Sequence, residues 1–471
     1  MQSSFVYRCI KWSLFLFSLI MFSCISQDSV TRYKSNEVRD LADILADGKL
    51  VAVTDYNSAS YYIYKGEPMG YQFDMLRDFA SFLGVKLELI AENDIQASIE
   101  MLESREVDLI ANNLTITAER LEELNFTLPH GETRQVVVQR NGQELGVRGQ
   151  KFVHNSQELA GKVVYVQRGS ASAKVVKDIS EKNGDGIVLV ELPGYDAFQL
   201  IDMVAQGKVD YVVCDEVEAR VKVATCSNLS CEVAVSGLQP TAWAVRPTSP
   251  ELLKRVNLWL ENYLSTSKYA RIHSKYYGNP LQARRMSNDF FYVYHGKVSQ
   301  WDEYFKHHSE KIGWDWRLLA SMVYQESHFD HNAVSPRGAV GLMQFMPTTA
   351  DYFGIALNEM PIRQIEAGVG YLKWIEDRLD SFNIPKNEEV KFVLAAYNAG
   401  IGHVLDARNL ARKYGRNPNI WDDNVEYFIS NKAQFAGDPV VKYGSLKGKE
   451  TTRYVEEIME RYQHYQNIVV K

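Results

Sequence analysis

The sequence predicts a multi-domain chain in which a two-lobed α/β module precedes a mainly α-helical domain. Three observations predict it. The chain has 471 residues, 46% hydrophobic and 24% charged, enough for roughly two to three domains with large cores. From Lys49 to about Gly278, short apolar runs alternate with helical patterns. From Trp301 onward the strand pattern stops, and helical patterns are punctuated at Gly313, Pro336, Pro347, Pro385, Gly400 and Pro418.

The first element is a targeting segment, residues 1–24. Arg8 and Lys11 precede an apolar run, Trp12 to Phe22, which is too short for a comfortable membrane span and fits a signal-peptide core. The run ends in Met21-Phe22-Ser23-Cys24. This resembles a bacterial lipoprotein processing box, although Phe22 is bulkier than usual there. The resemblance implies lipidation of Cys24, a membrane contact through a lipid anchor, and an outer-membrane lipoprotein facing the periplasm. The other reading is a signal peptide cleaved nearby, with Cys24 incidental. Residues 25–45 are polar and mixed, and read as a tether.

The formal charge of -7 and the lack of a long basic run argue against nucleic acid as the main partner. Of five cysteines, Cys9 and Cys24 lie in the leader. The spacing of Cys214, Cys226 and Cys231 fits no zinc pattern, so no metal is predicted, and nothing calls for a cofactor. Cys226 and Cys231 flank a short polar loop. Export permits a disulfide there, and free thiols are equally consistent.

In the α/β module, residues 46–278, the predicted strands are Leu50–Thr54, Lys86–Ala91, Val107–Asn112, Gln135–Arg140, Lys162–Gln167, Ile187–Glu191, Val209–Cys214 and Ala242–Arg246. Helical patterns such as Tyr71–Leu83 and Ala197–Gln206 lie between them. That interleaving implies parallel βαβ units. Pro250 to Tyr277 reads as one long helix, with Leu252, Leu253, Val256, Leu260 and Tyr263 on one stripe. Residues 279–299 have no clear period and form a candidate linker. Residues 300–471 form the helical domain.

Several short blocks give the first module a family likeness. They are Gly48-Lys-Leu-Val-Ala-Val-Thr54, Gly70-Tyr-Gln-Phe-Asp-Met75, Leu83-Gly84-Val85 and Asn113-Leu-Thr-Ile-Thr-Ala-Glu-Arg120. The module resembles the periplasmic solute-binding proteins of the amino-acid-binding type. The resemblance implies that Arg120 grips a ligand carboxylate, with Thr115 and Asn113 adding hydrogen bonds. It places Asp215 against a ligand α-amino group. Arg168-Gly169-Ser170 opens a helix whose amides face an anion. The implied partner is an amino acid or a muropeptide.

The helical domain carries the chemistry. Asp315 can cap a helix starting at Trp316. Leu319, Met322, Val323 and Glu326 then share a face. A carboxyl group held against apolar surface keeps its proton near neutrality, which suits protonation of a glycosidic oxygen. The turn Gly338–Gly341, followed by Gln344, can pass close to that group. A second helix, Val390–Asn398, runs into Ala399-Gly400, and glycine there can stop it in a left-handed conformation. Asp330 lies a helical turn beyond Glu326, near the helix end, and is left out of the chemistry.

The blocks Glu326-Ser327, Gly341-Leu-Met-Gln344, Ala396-Tyr-Asn-Ala-Gly400 and Glu450-Thr-Thr-Arg-Tyr-Val455 occur in order with plausible gaps. They resemble the family 1 lytic transglycosylases, lysozyme-like enzymes that act on peptidoglycan. The resemblance implies that Glu326 protonates the bond between N-acetylmuramic acid and N-acetylglucosamine. The same group then takes a proton from the muramic acid 6-hydroxyl, and a 1,6-anhydro ring forms. It implies that Gln344, Tyr397 and Asn398 bind the sugar. Tyr454 hydrogen-bonds Glu326, and Ser335 and Met343 shape the cleft. A hydrolytic lysozyme and a wall-binding solute receptor remain the alternatives.

Overall fold

The computed structural model describes residues 39–141, 152–183, 186–278, 297–356 and 359–467. Cys24 with its processing box, and nearly all of the candidate linker, lie outside the described residues. The tether, read as far as Leu45, ends earlier. Leu41–Asp47 is a helix capped by Asp40, because Leu41 and Ile44 bury against the first lobe. Asp40 also accepts from the backbone N–H groups of Glu251 and Leu252, which ties this turn to the helix Pro250–Tyr263.

The first lobe is built on a sheet ordered Lys86–Ala91, Lys49–Thr54, Leu109–Thr115, Gln239–Val245. The first three strands are parallel, and Gln239–Val245 runs antiparallel to Leu109–Thr115. The second lobe is ordered Val188–Leu192, Val163–Gln167, Tyr211–Asp215, Gln135–Arg140, Leu229–Ala234, again with a parallel half and an antiparallel half. Val136, Val137 and Val138 are fully buried, since helices or loops cover both faces of that strand. The chain leaves the first lobe at Arg134 and returns near Ser236. These crossings are bonded to each other, with Gln135 N–H donating to Ser236 Oγ at 2.8 Å and Val235 N–H to the Gln135 carbonyl at 2.8 Å.

Five strands escaped sequence reading: Tyr62–Tyr64, Glu67–Met69, Asn125–Phe126, Gly131–Thr133 and Leu229–Ala234. Four of these have only two or three residues, too few to show a period of two.

The single helix expected over Pro250–Tyr277 is two, Pro250–Tyr263 and Ser267–Tyr277. Thr266 breaks it. Its hydroxyl oxygen accepts from the Tyr269 N–H and donates to the Tyr263 carbonyl, so the side chain competes with the helical ladder and caps a new start.

The C-terminal module is helical. Its main members are Asp302–Ser309, Trp316–Ser327, Pro361–Leu379, Lys386–Ala399, Ile401–Lys413 and Gly448–Gln466. Leu319, Met322, Val323, Leu372, Phe392 and Ile458 fill its interior. That core is continuous with the first lobe through Tyr61, Phe73 and Tyr465. No described helix is long and apolar enough to cross a membrane.

Candidate active site and ligand cavity

Asp315 caps the helix Trp316–Ser327 by accepting from the Arg317 N–H at 2.9 Å. Leu318 to Tyr324 are buried, and this apolar stretch sets the helix axis. Glu326 sits in its last turn, half-buried. His328 and Phe329 then adopt positive φ, 52° and 67°, which turns the chain away sharply and leaves the Glu326 carboxyl at the exit.

Among the described residues, one hydrogen-bond partner holds that carboxyl. The Tyr454 hydroxyl donates to Glu326 Oε1 at 2.5 Å. Burial pushes the Glu326 proton affinity up to about 7, and the Tyr454 bond opposes the shift. No neighbouring carboxylate contributes to it. Tyr454 and Tyr397 are held neutral first by burial and then by the Glu326 charge, so the three groups share one low-dielectric site.

The helix Gly448–Gln466 carries Tyr454. It is pinned by Ser321, whose hydroxyl donates to the Ile458 carbonyl at 2.7 Å. It starts in tight quarters. A Cβ on Gly448 would lie 1.6 Å from the Ile429 carbonyl oxygen, so only glycine fits there.

The loop after Glu326 is a set of closed turns. Ser335 bonds Ala339 through both its backbone N–H and its hydroxyl oxygen. Val340 and Phe345 pair through two backbone bonds of 3.0 Å. Gly341 has φ +79°, and a Cβ there would sit 2.4 Å from Gln364 Oε1. That oxygen accepts from the Leu342 N–H at 2.7 Å, while Gln364 Nε2 donates to the Glu359 carbonyl at 2.8 Å. Gln344, at φ 49°, donates Nε2 to the Gly341 and Ala333 carbonyls. Its Oε1 meets no donor among the described residues.

The Met343 side chain is fully buried against Gly368, so it supports the loop from beneath. Its carbonyl accepts from the Tyr397 hydroxyl at 2.7 Å. Tyr397 packs on Tyr371, with ring centroids 5.1 Å apart. Asn398 is exposed at the helix end, and its Oδ1 accepts from Thr451 Oγ1 at 2.9 Å. The glycine stop differs from expectation. Gly400 takes φ 95° and ψ 138°, an extended positive-φ turn, because the chain enters the helix Ile401–Lys413 at once.

The structure thus brings Glu326, Tyr454, Tyr397 and Met343 into one connected set. Ser335 and Gln344 spend hydrogen bonds on their own turn. Sequence reading missed Gln364, Thr451 and Tyr371. Gln364 carries no local signal, since its partners lie 22 residues upstream and 5 residues upstream in the chain.

The N-terminal residues converge on one cavity. Asn113, Thr115, Arg120, Ser170 and Asp215 all line it, together with Asp55, Asp196 and Glu218, which sequence reading missed. Its open space, mouth included, is about 670 Å³. Asp55 directly follows the strand Lys49–Thr54, and Asp196 caps the helix after Val188–Leu192. The rule that ligands sit at the carboxyl ends of parallel strands would have found both.

Arg120 donates to the Thr115 carbonyl at 2.8 Å and reaches across to the Gly169 carbonyl at 3.0 Å. Asn93 donates across the cleft to Asp196 at 2.9 Å, and Arg168 pairs with Asp94. The lobes are bonded together over the cavity. Cys226 and Cys231 are free thiols, and Cys214 lies buried in the cavity wall.

The two modules touch through the C-terminal helix. The Tyr465 hydroxyl donates to the Gly66 carbonyl at 2.9 Å, Asn467 Nδ2 to the Leu89 carbonyl at 2.8 Å, and Tyr61 meets His464 Nδ1 at 3.0 Å.

Comparison with known proteins agrees with this two-part layout. Residues 49–279 match the model of bacterial extracellular solute-binding proteins, family 3. Residues 303–420 match the transglycosylase SLT domain. The membrane-bound lytic murein transglycosylase F of Desulfosudis oleivorans is 30% identical over 435 residues, covering 90% of this chain and 91% of that one. The chain belongs to the membrane-bound lytic murein transglycosylase F family. The Aliivibrio fischeri member of that family is also 30% identical, over 98% of this chain and 89% of that one. Among crystal structures, the substrate binding protein of an amino acid ABC transporter aligns with 49% of this chain at 22% identity and TM-score 0.43. As a member of the transglycosylase F family, the chain is a peptidoglycan lytic transglycosylase with a solute-binding fold ahead of its catalytic domain.

Proposed function

We propose that the enzyme cleaves the β-1,4 bond between N-acetylmuramic acid and N-acetylglucosamine and leaves 1,6-anhydro ends. The observation that carries this is Glu326, whose raised proton affinity owes nothing to a second carboxylate. Glycosidases that activate water at a sugar use a pair of carboxylates. A lone group suits a cycle in which it first donates a proton and then, as the carboxylate, accepts one from the 6-hydroxyl of the same sugar.

In this reading Tyr454 orients Glu326. Tyr397, Asn398 and the Oε1 of Gln344 meet the sugar and its N-acetyl group. Ser335 and Met343 hold the loop that walls the cleft. Mass spectrometry of fragments from purified sacculi tests it. Products one water lighter than hydrolysis products are expected, and fully hydrated reducing ends would make the enzyme a lysozyme.

The N-terminal module, residues 46–278, binds an amino acid or a muropeptide between its lobes, with Arg120 on the carboxylate. Occupancy is relayed to the catalytic domain, residues 300–471, by the helix Gly448–Gln466, which meets Glu326 near one end and the first lobe at the other. A ligand does this only by binding two lobe arrangements unequally. Turnover with and without added stem peptide is the test, and equal rates remove the link. Lipidation of Cys24 anchors the chain to the outer membrane, which labelling with palmitate checks.

A further inference from the structure

Resting on the ligand-binding reading of the N-terminal module, we infer that its ligand carries a second cationic group besides the α-ammonium, seated at Glu218. The chemical class is a diamino or guanidino acid, free or as a residue of a short peptide.

The argument starts from the charges that line the cavity. Four carboxylates, Asp55, Asp196, Asp215 and Glu218, face a single cation, Arg120. An amino acid with a neutral side chain would bring one carboxylate for Arg120 and one ammonium for Asp215. That leaves three acids to be accommodated.

Two of the three are already served. Asp55 accepts from the Ser60 hydroxyl and the Asn57 amide. Asp196 accepts from the Gln199 N–H and from Asn93. Asp215 itself accepts from Gln135. Glu218 alone among the four has no hydrogen-bond partner among the described residues. It lies on the helix Glu216–Val223, three residues after Asp215, and so on the same face. A ligand whose α-ammonium sits at Asp215 extends its side chain towards Glu218.

A second observation points to an occupant. The Ser170 hydroxyl is buried in the same cavity wall and has no hydrogen-bond partner among the described residues. A buried polar atom without a protein partner is costly, and a polar group of a ligand that reaches it satisfies it. Burial, then the charges of Asp215, Asp55 and Asp196, favours a proton on Glu218. A cation placed among these groups removes that penalty, whereas a neutral or acidic side chain does not.

The test is calorimetric titration of the full chain with L-lysine, with Nε-acetyl-L-lysine, and with a lysine-containing tripeptide. Acetylation keeps the length and removes only the second charge. Lysine, free or in the peptide, is expected to bind about 100-fold or more tightly than its acetylated form, because only the cation can pair with Glu218 and the acid cluster around it, whereas the acetylated form leaves Glu218 protonated and without a charge partner. The tighter of the two lysine ligands identifies the source. Glu218→Gln should bring the two free ligands to similar affinity, with its melting curve as the folding check. Acetyl-lysine binding as well as lysine in the native chain would overturn this inference and leave the binding reading intact. No heat with any ligand would remove both.

Discussion

The Tyr454 hydroxyl donates to Glu326 Oε1 across two helices that are 128 residues apart in the chain. This one bond joins the first and last of the four motif blocks. It is available because Ser321 clips the two helices together a turn and a half below Glu326. It also holds the Glu326 carboxyl without pairing it with a second charge.

Glu326→Gln should abolish clearing of peptidoglycan in a zymogram while the melting curve stays cooperative. Loss of the shared acid and base should slow turnover at least about a hundredfold. Retained clearing would refute the assignment.

Turnover should fall as pH rises above about 7, because the first step needs protonated Glu326. The same shift affects stability. The folded proton affinity lies above that of an unfolded glutamate, so the folded chain binds this proton more tightly. The contribution is complete at acid pH, below the unfolded value, and is lost as pH rises through about 7. Glu326→Gln should therefore melt higher relative to wild type at pH 8 than at pH 5. Paired thermal melts at the two values decide this, and a constant difference would count against a buried, raised carboxyl group.

Tyr454→Phe removes a bond that favours the charged carboxylate. The alkaline limb of the pH–rate profile should move up, and the maximal rate should drop about tenfold, the scale of one hydrogen bond to a charged group. An unmoved limb would mean that Tyr454 serves packing alone.

Gly448→Ala should destabilise the enzyme by about 1–3 kcal/mol, the range for an overpacked site. The added methyl meets the backbone carbonyl of Ile429, which has no rotamer to escape into. The melting midpoint should fall, and no change would show that the helix start can shift freely.

The alternation of strands and helices was legible from period alone, because strands buried on both faces read as apolar runs such as Val136-Val-Val138. The apolar stripe of its helix singled out Glu326, and the resemblance carried by the four motif blocks singled out Tyr397, Asn398 and Tyr454. The break at Thr266 was not legible, since a threonine inside an apolar stripe looks like any other polar position until its hydroxyl is seen to cap.

The sequence by itself determined the order of the modules, the apolar face that carries Glu326, and the strand ends at which Asn113, Thr115 and Asp215 lie. These are local properties, set by side-chain period and by residue types a few positions apart. Tertiary structure alone decided that Glu218 shares a cavity with Arg120, that Gln364 braces the loop at Leu342, and that Tyr465 docks on Gly66. Such contacts join segments up to 399 residues apart, and no local pattern encodes them, because they form only when separate cores pack together.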